Sequence, residues 1–150
     1  MGLTMSRLPR ADAVRVGGDK DAIAAQARRK FSGALANDTQ WNQLLDYMRG
    51  REGWAPSYRS KWMNGSISEW DTECRYHLPF PFVGVEWFDI GLHQTVRCGR
   101  LLAPRVIDHS AEIVGKLEEI GFDFEVRGDV LRIWGYHPKS YEDFPPVDSR

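Results

Sequence analysis

The segment FDFEVRGDVLRIW, residues 122–134, decides the fold class of this chain. Apolar and charged residues alternate through Phe122–Val126, Gly128 and Asp129 supply a tight turn, and Val130–Trp134 returns with further apolar residues. Alternation with a period of two on both sides of a glycine-containing turn is the pattern of an antiparallel β-hairpin. We therefore predict that the chain is built around an antiparallel sheet.

Two earlier segments have the composition of further strands. Tyr58–Met63 alternates as a half-buried strand, and Val83–Ile90 is rich in β-branched and aromatic residues. Because successive side chains of a strand point to opposite faces, Val85 and Trp87 are expected to share one face. These segments raise the expected sheet to about four strands.

Three segments have helical character. The first is an alanine-rich stretch from residue 19 to residue 35. In the second, Asn37 precedes apolar residues at helical spacing that continue to Gly50. The third begins at Asp108 or Ser110 and ends at Gly121. Because helices and strands occur in separate groups, the sequence predicts an α+β fold. We expect a mainly antiparallel sheet of about four strands with helices packed on one face.

The chain is predicted to form one domain flanked by two shorter segments. Residues 1–36 are expected to be an N-terminal extension that is partly disordered or helical. Residues 37–138 form a single α+β domain in this prediction, and residues 139–150 form a C-terminal tail rich in proline and acids. A chain of 150 residues is long enough for one hydrophobic core without disulfide bonds.

The distribution of charge argues against a nucleic-acid partner. Residues 1–36 carry seven basic and three acidic residues, a net charge of +4, whereas residues 37–150 carry 13 basic and 18 acidic residues, a net charge of −5. A mildly acidic domain lacks the clustered positive charge that nucleic-acid binding needs. No apolar run is long enough for a membrane span. The two cysteines, Cys74 and Cys98, are expected to be free thiols in the cytoplasm.

Four stretches carry a resemblance to a known family: WDTECRYHLPFPF at 70–82, VEWFDI at 85–90, GRLLAPRVID at 99–108 and LRIWGYHP at 131–138. In their order and residue types they resemble a family of small bacterial proteins of unknown function. The resemblance extends from about Trp41 to Pro138. Small families of this sort often include immunity proteins that are encoded beside antibacterial toxins. The resemblance therefore implies a protein that binds and neutralises a toxin, and it assigns no counterpart to the first 36 residues.

The stretch from Trp70 to Phe88 concentrates the side chains that could carry a function. Aromatic residues dominate the energetics of protein interfaces, and carboxylates beside a histidine suit divalent cations or acid–base chemistry. With two residues from the last strand, the candidate functional cluster comprises Trp70, Asp71, Glu73, Tyr76, His77, Glu86, Trp87, Tyr136 and His137.

Two functions stay open at the level of sequence. The first is a binding module that blocks a toxin, with Glu118, Glu119, Asp123 and Glu125 offering an acidic surface to a cationic partner. The alternative is a metal-assisted hydrolase that uses Asp71, Glu73, His77 and Glu86.

Structural roles for the same acids compete with the hydrolase. In that interpretation Glu86 pairs with an arginine such as Arg59, Arg75 or Arg132. The sequence also contains no nucleophile motif and no zinc-ligand spacing. We therefore expect a protein partner, and we expect no catalytic residue, no metal, no cofactor, no nucleic acid and no membrane.

Overall fold

The structure, a computed structural model, describes residues 18–72 and 81–147. A short 3₁₀ helix, Phe82–Gly84, precedes the third strand. The helices and strands follow in the order α1 (Gly18–Lys30), β1 (Gly33–Ala34), α2 (Asp38–Gly50), β2 (Tyr58–Trp62), β3 (Val85–Gly91), β4 (His93–Val96), β5 (Arg105–Asp108), α3 (Ser110–Ile120), β6 (Phe124–Arg127), β7 (Val130–Trp134) and β8 (Tyr136–His137).

The main sheet has four antiparallel strands in the order β2–β3–β7–β6. Strands β1 and β8 form one separate antiparallel pair, and β4 and β5 form another. The predicted α+β class with a four-stranded antiparallel sheet is confirmed. The hairpin predicted at 122–134 is the β6–β7 pair, and Gly128 in its turn has a φ of 62°, a conformation that favours glycine.

Short polar side chains form hydrogen bonds at the starts of two of the three predicted helices. At the start of α2, the side chain of Asn37 accepts a hydrogen bond from the backbone N–H of Gln40 at 2.9 Å, and the Gln40 side chain accepts one from the N–H of Asn37 at 3.0 Å. This reciprocal capping box satisfies two donors that the helix leaves open. At the start of α3, Asp108 accepts from the N–H of Ser110 at 2.8 Å.

The main core lies between one face of the sheet and the three helices that the structure describes. Strands β2, β3 and β7 direct side chains toward this core, β2 and β7 at alternate positions, and α2 and α3 meet them. Trp41 of α2 stacks on Phe82, with the ring centres 4.7 Å apart. The buried residues of this face include Trp41, Leu44, Met48, Tyr58, Trp62, Phe88, Ile90, Ile113, Leu117, Leu131 and Ile133.

The core also includes residues that precede the boundary predicted at residue 37. Ala27 and Phe31 of α1 are buried, and Phe31 stacks on Tyr136 with ring centres 4.5 Å apart. Strand β1 pairs with β8, where Gly33 lies opposite His137. Residues 18–36 are therefore joined to the domain by both packing and hydrogen bonds.

A register shift in β3 alters the predicted assignment of faces. Lys61 lies opposite Trp87 but Trp62 lies opposite Val85, so Glu86 is an extra residue in β3. Such a bulge interrupts strict alternation. Val85 packs into the helix-side core, whereas Trp87 belongs to the cluster on the other face of the sheet. The prediction that Val85 and Trp87 share one face is wrong for this reason.

Within residues 18–72 and 81–147, none of the helices has both the length and the apolar character needed to cross a membrane.

A glycine between β7 and β8 offers a test of the packing. A Cβ atom on Gly135 would lie 2.5 Å from the backbone oxygen of Val85. We expect Gly135→Ala to lower the free energy of unfolding by about 1–3 kcal/mol, because a backbone atom cannot move aside cheaply. Gly115→Ala is the control, since a Cβ on this exposed residue of α3 meets no atom within 4 Å.

The control should raise the free energy of unfolding by about 0.5–1 kcal/mol through helix propensity. Urea denaturation of both variants measures the two values. Equal stabilities of Gly135→Ala and the wild type would contradict the close approach of β3 and β7–β8.

Candidate functional site

A row of charged residues crosses the face of the sheet that lies away from the helices. Strand pairing places Arg59 of β2 opposite Asp89 of β3, Asp89 opposite Arg132 of β7, and Arg132 opposite Glu125 of β6. Opposite charges therefore alternate across four adjacent strands. Cross-strand pairs of opposite charge stabilise a sheet.

Asp89 is the centre of this row. Its carboxylate accepts from Nε of Arg132 at 2.7 Å and from Nη2 of Arg132 at 2.9 Å, which is a bidentate pair. Nε of Arg59 donates to the same carboxylate at 3.0 Å. Asp89 and Arg132 are both fully buried. A buried carboxylate that binds two guanidinium groups is held by charge-assisted hydrogen bonds on several sides.

The same arginines fasten the C-terminal segment to the sheet. Arg132 donates through Nη1 to the backbone oxygens of Ser140 at 3.1 Å and Glu142 at 2.7 Å. Arg59 donates to the backbone oxygen of Asp143 at 2.6 Å. The part of the predicted tail that the structure describes, 139–147, thus contains a segment bound to the sheet.

Aromatic rings enclose the guanidinium group of Arg132. Its centre lies 3.6 Å from the ring centre of Trp87 and 4.6 Å from that of Phe144. Trp87, Trp134 and Phe144 are buried together as the apolar part of this second face. Stacking a guanidinium on aromatic faces strengthens when water is excluded, so these rings stabilise the buried ion pair.

Three members of the predicted functional cluster, Glu73, Tyr76 and His77, lie outside the described residues. Trp70 is exposed, and the guanidinium centre of Arg59 lies 4.9 Å from its ring centre. The backbone N–H and oxygen of Asp71 exchange hydrogen bonds with the backbone of Tyr58.

Glu86 is buried, and its carboxylate lies 3.7 Å from Nζ of Lys61. Lys61 also binds Glu142. Burial opposes the charge of Lys61, but hydrogen bonding to Glu142 and attraction to both carboxylates outweigh it and raise the pKa of the ammonium group. Two of the arginines predicted to pair with Glu86, Arg59 and Arg132, instead bind Asp89.

The remaining members of the predicted cluster do not form one site. Trp87 is fully buried on the second face of the sheet, and its indole N–H has no hydrogen-bond partner among the described residues. Tyr136 lies in the helix-side core and donates a hydrogen bond to the backbone oxygen of Val83. His137 is exposed next to β1. Trp87 and Tyr136 therefore serve different hydrophobic clusters.

The alternative function predicted from the sequence, a metal-assisted hydrolase, requires a site that binds a metal ion. In the part of the chain that the structure describes, no group of three or more His, Cys, Asp or Glu residues could hold a metal ion. Of the four residues proposed for that hydrolase, only Asp71 and Glu86 fall in this part, and Glu86 forms its ion pair with Lys61.

Most of the acids expected to form a binding surface pair with neighbouring cations. Glu119 lies 3.5 Å from Nζ of Lys116, and Asp123 lies 2.6 Å from Nζ of Lys139. Glu125 binds Nε of Arg127 at 2.7 Å. These pairs reduce the local negative charge that was expected to attract a cationic partner.

The β4–β5 hairpin presents a different surface, which we call the hairpin tip and define as residues 97–106. All ten residues, RCGRLLAPRV, are exposed, and none is acidic. Leu101 and Leu102 have 98% and 65% of their surfaces exposed. Sequence patterns did not predict this surface as a binding site, although an acid-free run of arginine and leucine is visible in the sequence.

The three arginines of the hairpin tip, Arg97, Arg100 and Arg105, differ from those of the sheet. No hydrogen bond or ion pair joins their guanidinium groups to any residue within 18–72 or 81–147. The base of the hairpin, by contrast, is attached to the domain. The N–H of Leu92 donates to Asp129, and the N–H of His109 donates to Leu92, both at 2.9 Å.

Comparison with known proteins gives one match. Residues 23–140, which are most of the chain, match the sequence model of DUF6678, a family of unknown function. The match includes most of α1 and so begins before the region of resemblance expected from the sequence. No curated protein and no solved structure matches the chain.

The central carboxylate provides a second test. Asp89→Asn removes the negative charge between Arg59 and Arg132 and leaves a buried guanidinium group without its counterion. We expect a loss of about 3–5 kcal/mol in the free energy of unfolding. Glu118→Gln on the exposed side of α3 removes the same charge and should change stability by less than about 0.5 kcal/mol. A similar small change for both variants in urea denaturation would contradict the central role of Asp89.

Tyr136 makes stability depend on alkaline pH. Burial, together with the nearby charge of Asp38, raises the pKa of its hydroxyl above the ordinary 10.0, and Arg28 only partly offsets this. The unfolded chain therefore loses this proton first, so the stability contributed by the neutral hydroxyl is present below pH 10 and is lost as pH rises through the folded pKa.

We expect the free energy of unfolding of the wild type to fall more steeply above pH 10 than that of Tyr136→Phe. Urea denaturation at a series of pH values measures both slopes. Parallel curves for the two proteins would rule out a contribution from Tyr136.

Proposed function

The chain belongs to the DUF6678 family, and we propose that it is a small protein-binding module that acts as an immunity protein, neutralising a bacterial toxin by direct contact. The observation that supports this proposal is the hairpin tip, where ten consecutive exposed residues combine apolar side chains with arginines that have no described partner.

The apolar residues of the hairpin tip are concentrated rather than scattered. Seven large hydrophobic residues are exposed in the described chain, and three of them, Leu101, Leu102 and Val106, lie within six consecutive positions. Single exposed apolar residues are ordinary on protein surfaces, whereas contiguous ones mark interaction sites. The core of the domain makes no use of these three side chains.

The hairpin is joined to the domain firmly enough to act as a binding element. An isolated two-stranded hairpin is only marginally stable, but the hydrogen bonds of Leu92 hold the base of this one next to β7 and α3. A surface with a fixed base loses less conformational entropy when a partner binds.

The roles of the described carboxylates favour binding over catalysis. Asp89 is used in the buried ion pair with Arg132, and Glu86 pairs with Lys61. Both carboxylates therefore have structural partners on a covered face of the sheet.

The assignment as an immunity protein rests on the resemblance. One of the stretches that carry the resemblance, 99–108, covers most of the hairpin tip. A toxin inhibitor needs an accessible surface and no catalytic centre of its own, which agrees with the features of this hairpin.

Co-expression with the product of the adjacent gene tests the proposal. We expect that product to arrest growth when expressed alone, and we expect the wild-type chain to restore growth and to co-purify with it as a stoichiometric complex. Growth that remains arrested in the presence of the wild-type chain would contradict the proposed function.

A pair of variants tests whether the hairpin tip makes the contact. Leu101→Asp should weaken the complex by at least about tenfold, because a charge replaces an apolar anchor at an interface. Val147→Asp places the same charge at another exposed apolar residue and should have little effect. Both variants should keep the stability of the wild type, since both positions are exposed. Binding is measured by titration calorimetry with the purified partner.

A further inference from the structure

We infer that the hairpin tip recognises an acidic protein surface, in which an apolar cleft that accepts Leu101 and Leu102 is bordered by Asp and Glu carboxylates that pair with Arg97, Arg100 and Arg105. This inference rests on the proposed function and adds the chemical class of the partner. It also reverses the charge of the partner expected from the sequence, which was a cationic toxin.

Local charge is the first reason. The ten residues of the hairpin tip carry three positive charges and no negative charge, whereas residues 37–150 as a whole carry a net charge of −5. Three of the four acids first considered for binding, Glu119, Asp123 and Glu125, pair with neighbouring cations. The hairpin tip is therefore a run of ten exposed residues with three arginines and no acid, and none of these arginines pairs with a described carboxylate.

The state of the arginines is the second reason. Arg51, Arg59, Arg127 and Arg132 each bind a carboxylate within the domain. The three arginines of the hairpin tip bind no described residue, so their donors are available to another molecule. A guanidinium group presents its N–H donors in a planar fork that matches the two oxygens of a carboxylate.

The order of residues at the hairpin tip is the third reason. Leu101 and Leu102 stand between Arg100 and Arg105 in the sequence, so the apolar pair has a cation on each side. Interfaces commonly have apolar anchors at the centre and a polar rim around them. The complementary surface is an apolar cleft with a rim of carboxylates.

The shape of the hairpin suits a concave partner. The pair Val96–Arg105 ends the paired part of the hairpin, and residues 97–104 between the two strands form an exposed connection. Gly99 in this connection has a φ of 151°, a conformation that other residues rarely adopt, and it directly precedes the turn at Arg100 and Leu101.

A protein partner agrees with the hairpin tip better than a nucleic acid does. Nucleic-acid binding at physiological salt depends on many phosphate contacts, on the order of 6–10 in a specific complex. Three arginines supply few such contacts, and two exposed leucines between them would lie against charged phosphates. Apolar side chains gain free energy when they enter an apolar cleft of a protein.

Selection from a random peptide library displayed on phage tests the inference with the full chain as bait. The triple variant Arg97→Glu, Arg100→Glu and Arg105→Glu reverses the charge of the hairpin tip. The matched control reverses three exposed arginines on α1 and α2, through Arg28→Glu, Arg29→Glu and Arg49→Glu. Both variants change the net charge by the same amount.

We expect the wild type and the control to enrich peptides that combine Asp or Glu with Leu, Phe or Trp. The tip variant should lose these peptides, and the Kd of a synthetic copy of the most enriched peptide should rise at least about tenfold for this variant. The Kd for the wild type should also rise with salt concentration, because exposed charges are screened.

Several results would overturn the inference. In the selection, these are a lack of acidic peptides among those that the wild type enriches, or recovery of the same peptides by the tip variant. In binding assays, the contradicting result is tighter binding of a labelled duplex DNA than of the selected peptide. In sedimentation, it is a dimer of the wild type that Leu101→Asp abolishes. If the tip variant still binds the adjacent gene product as tightly as the wild type does, the acidic partner is excluded, while the proposed function stands on the growth assay.

Discussion

The buried pair of Asp89 and Arg132 is the interaction on which the rest of the structure depends. Burying two charges costs several kcal/mol unless hydrogen bonds satisfy them on all sides, and here the backbone oxygens of Ser140 and Glu142 complete the shell around Arg132. The C-terminal segment is thereby held over Trp87 and Trp134, which would otherwise face water. One cross-strand pair thus links two central strands and holds the segment from Ser140 to Glu142 over the second face of the sheet.

This arrangement gives structural roles to several aromatic and acidic residues in the middle of the sequence. From the sequence, the residues around Trp70–Phe88 were candidates for a functional site. In the structure, Asp89 and Glu86 balance buried cations, and the ring of Trp87 covers Arg132. Among the described residues, Glu86, Trp87 and Asp89 therefore belong to a polar inner layer of the sheet, whereas residues 73–80 lie outside the described part of the chain. Within the described part of the chain, a run of ten exposed residues with apolar and basic side chains lies elsewhere, on the β4–β5 hairpin.

The features predicted correctly from the sequence depend on neighbours along the chain. The hairpin at 122–134 and the capping box at Asn37 are set by residues a few positions apart. The bulge at Glu86 and the choice of Asp89 as the partner of the arginines depend on register between distant strands, which local patterns do not encode. Residues 1–36 were predicted as an extension because the apolar face of the helix in them is thin, and the hairpin tip was not predicted as a surface because exposed residues carry no periodicity.

The arginines of the sheet and the arginines of the hairpin tip have different roles in the proposed function. Within the sheet, each of the arginines Arg59, Arg127 and Arg132 meets a carboxylate, so these charges cancel and contribute little field at a distance. At the hairpin tip the three guanidinium groups have no partner among the described residues, and residues 37–150 carry a net charge of −5. In the proposed complex, the positive charge of the hairpin tip attracts an acidic surface to this part of the molecule, which speeds and orients the encounter. Because the hairpin tip is fully exposed, its residues are free to match a partner without disturbing the core.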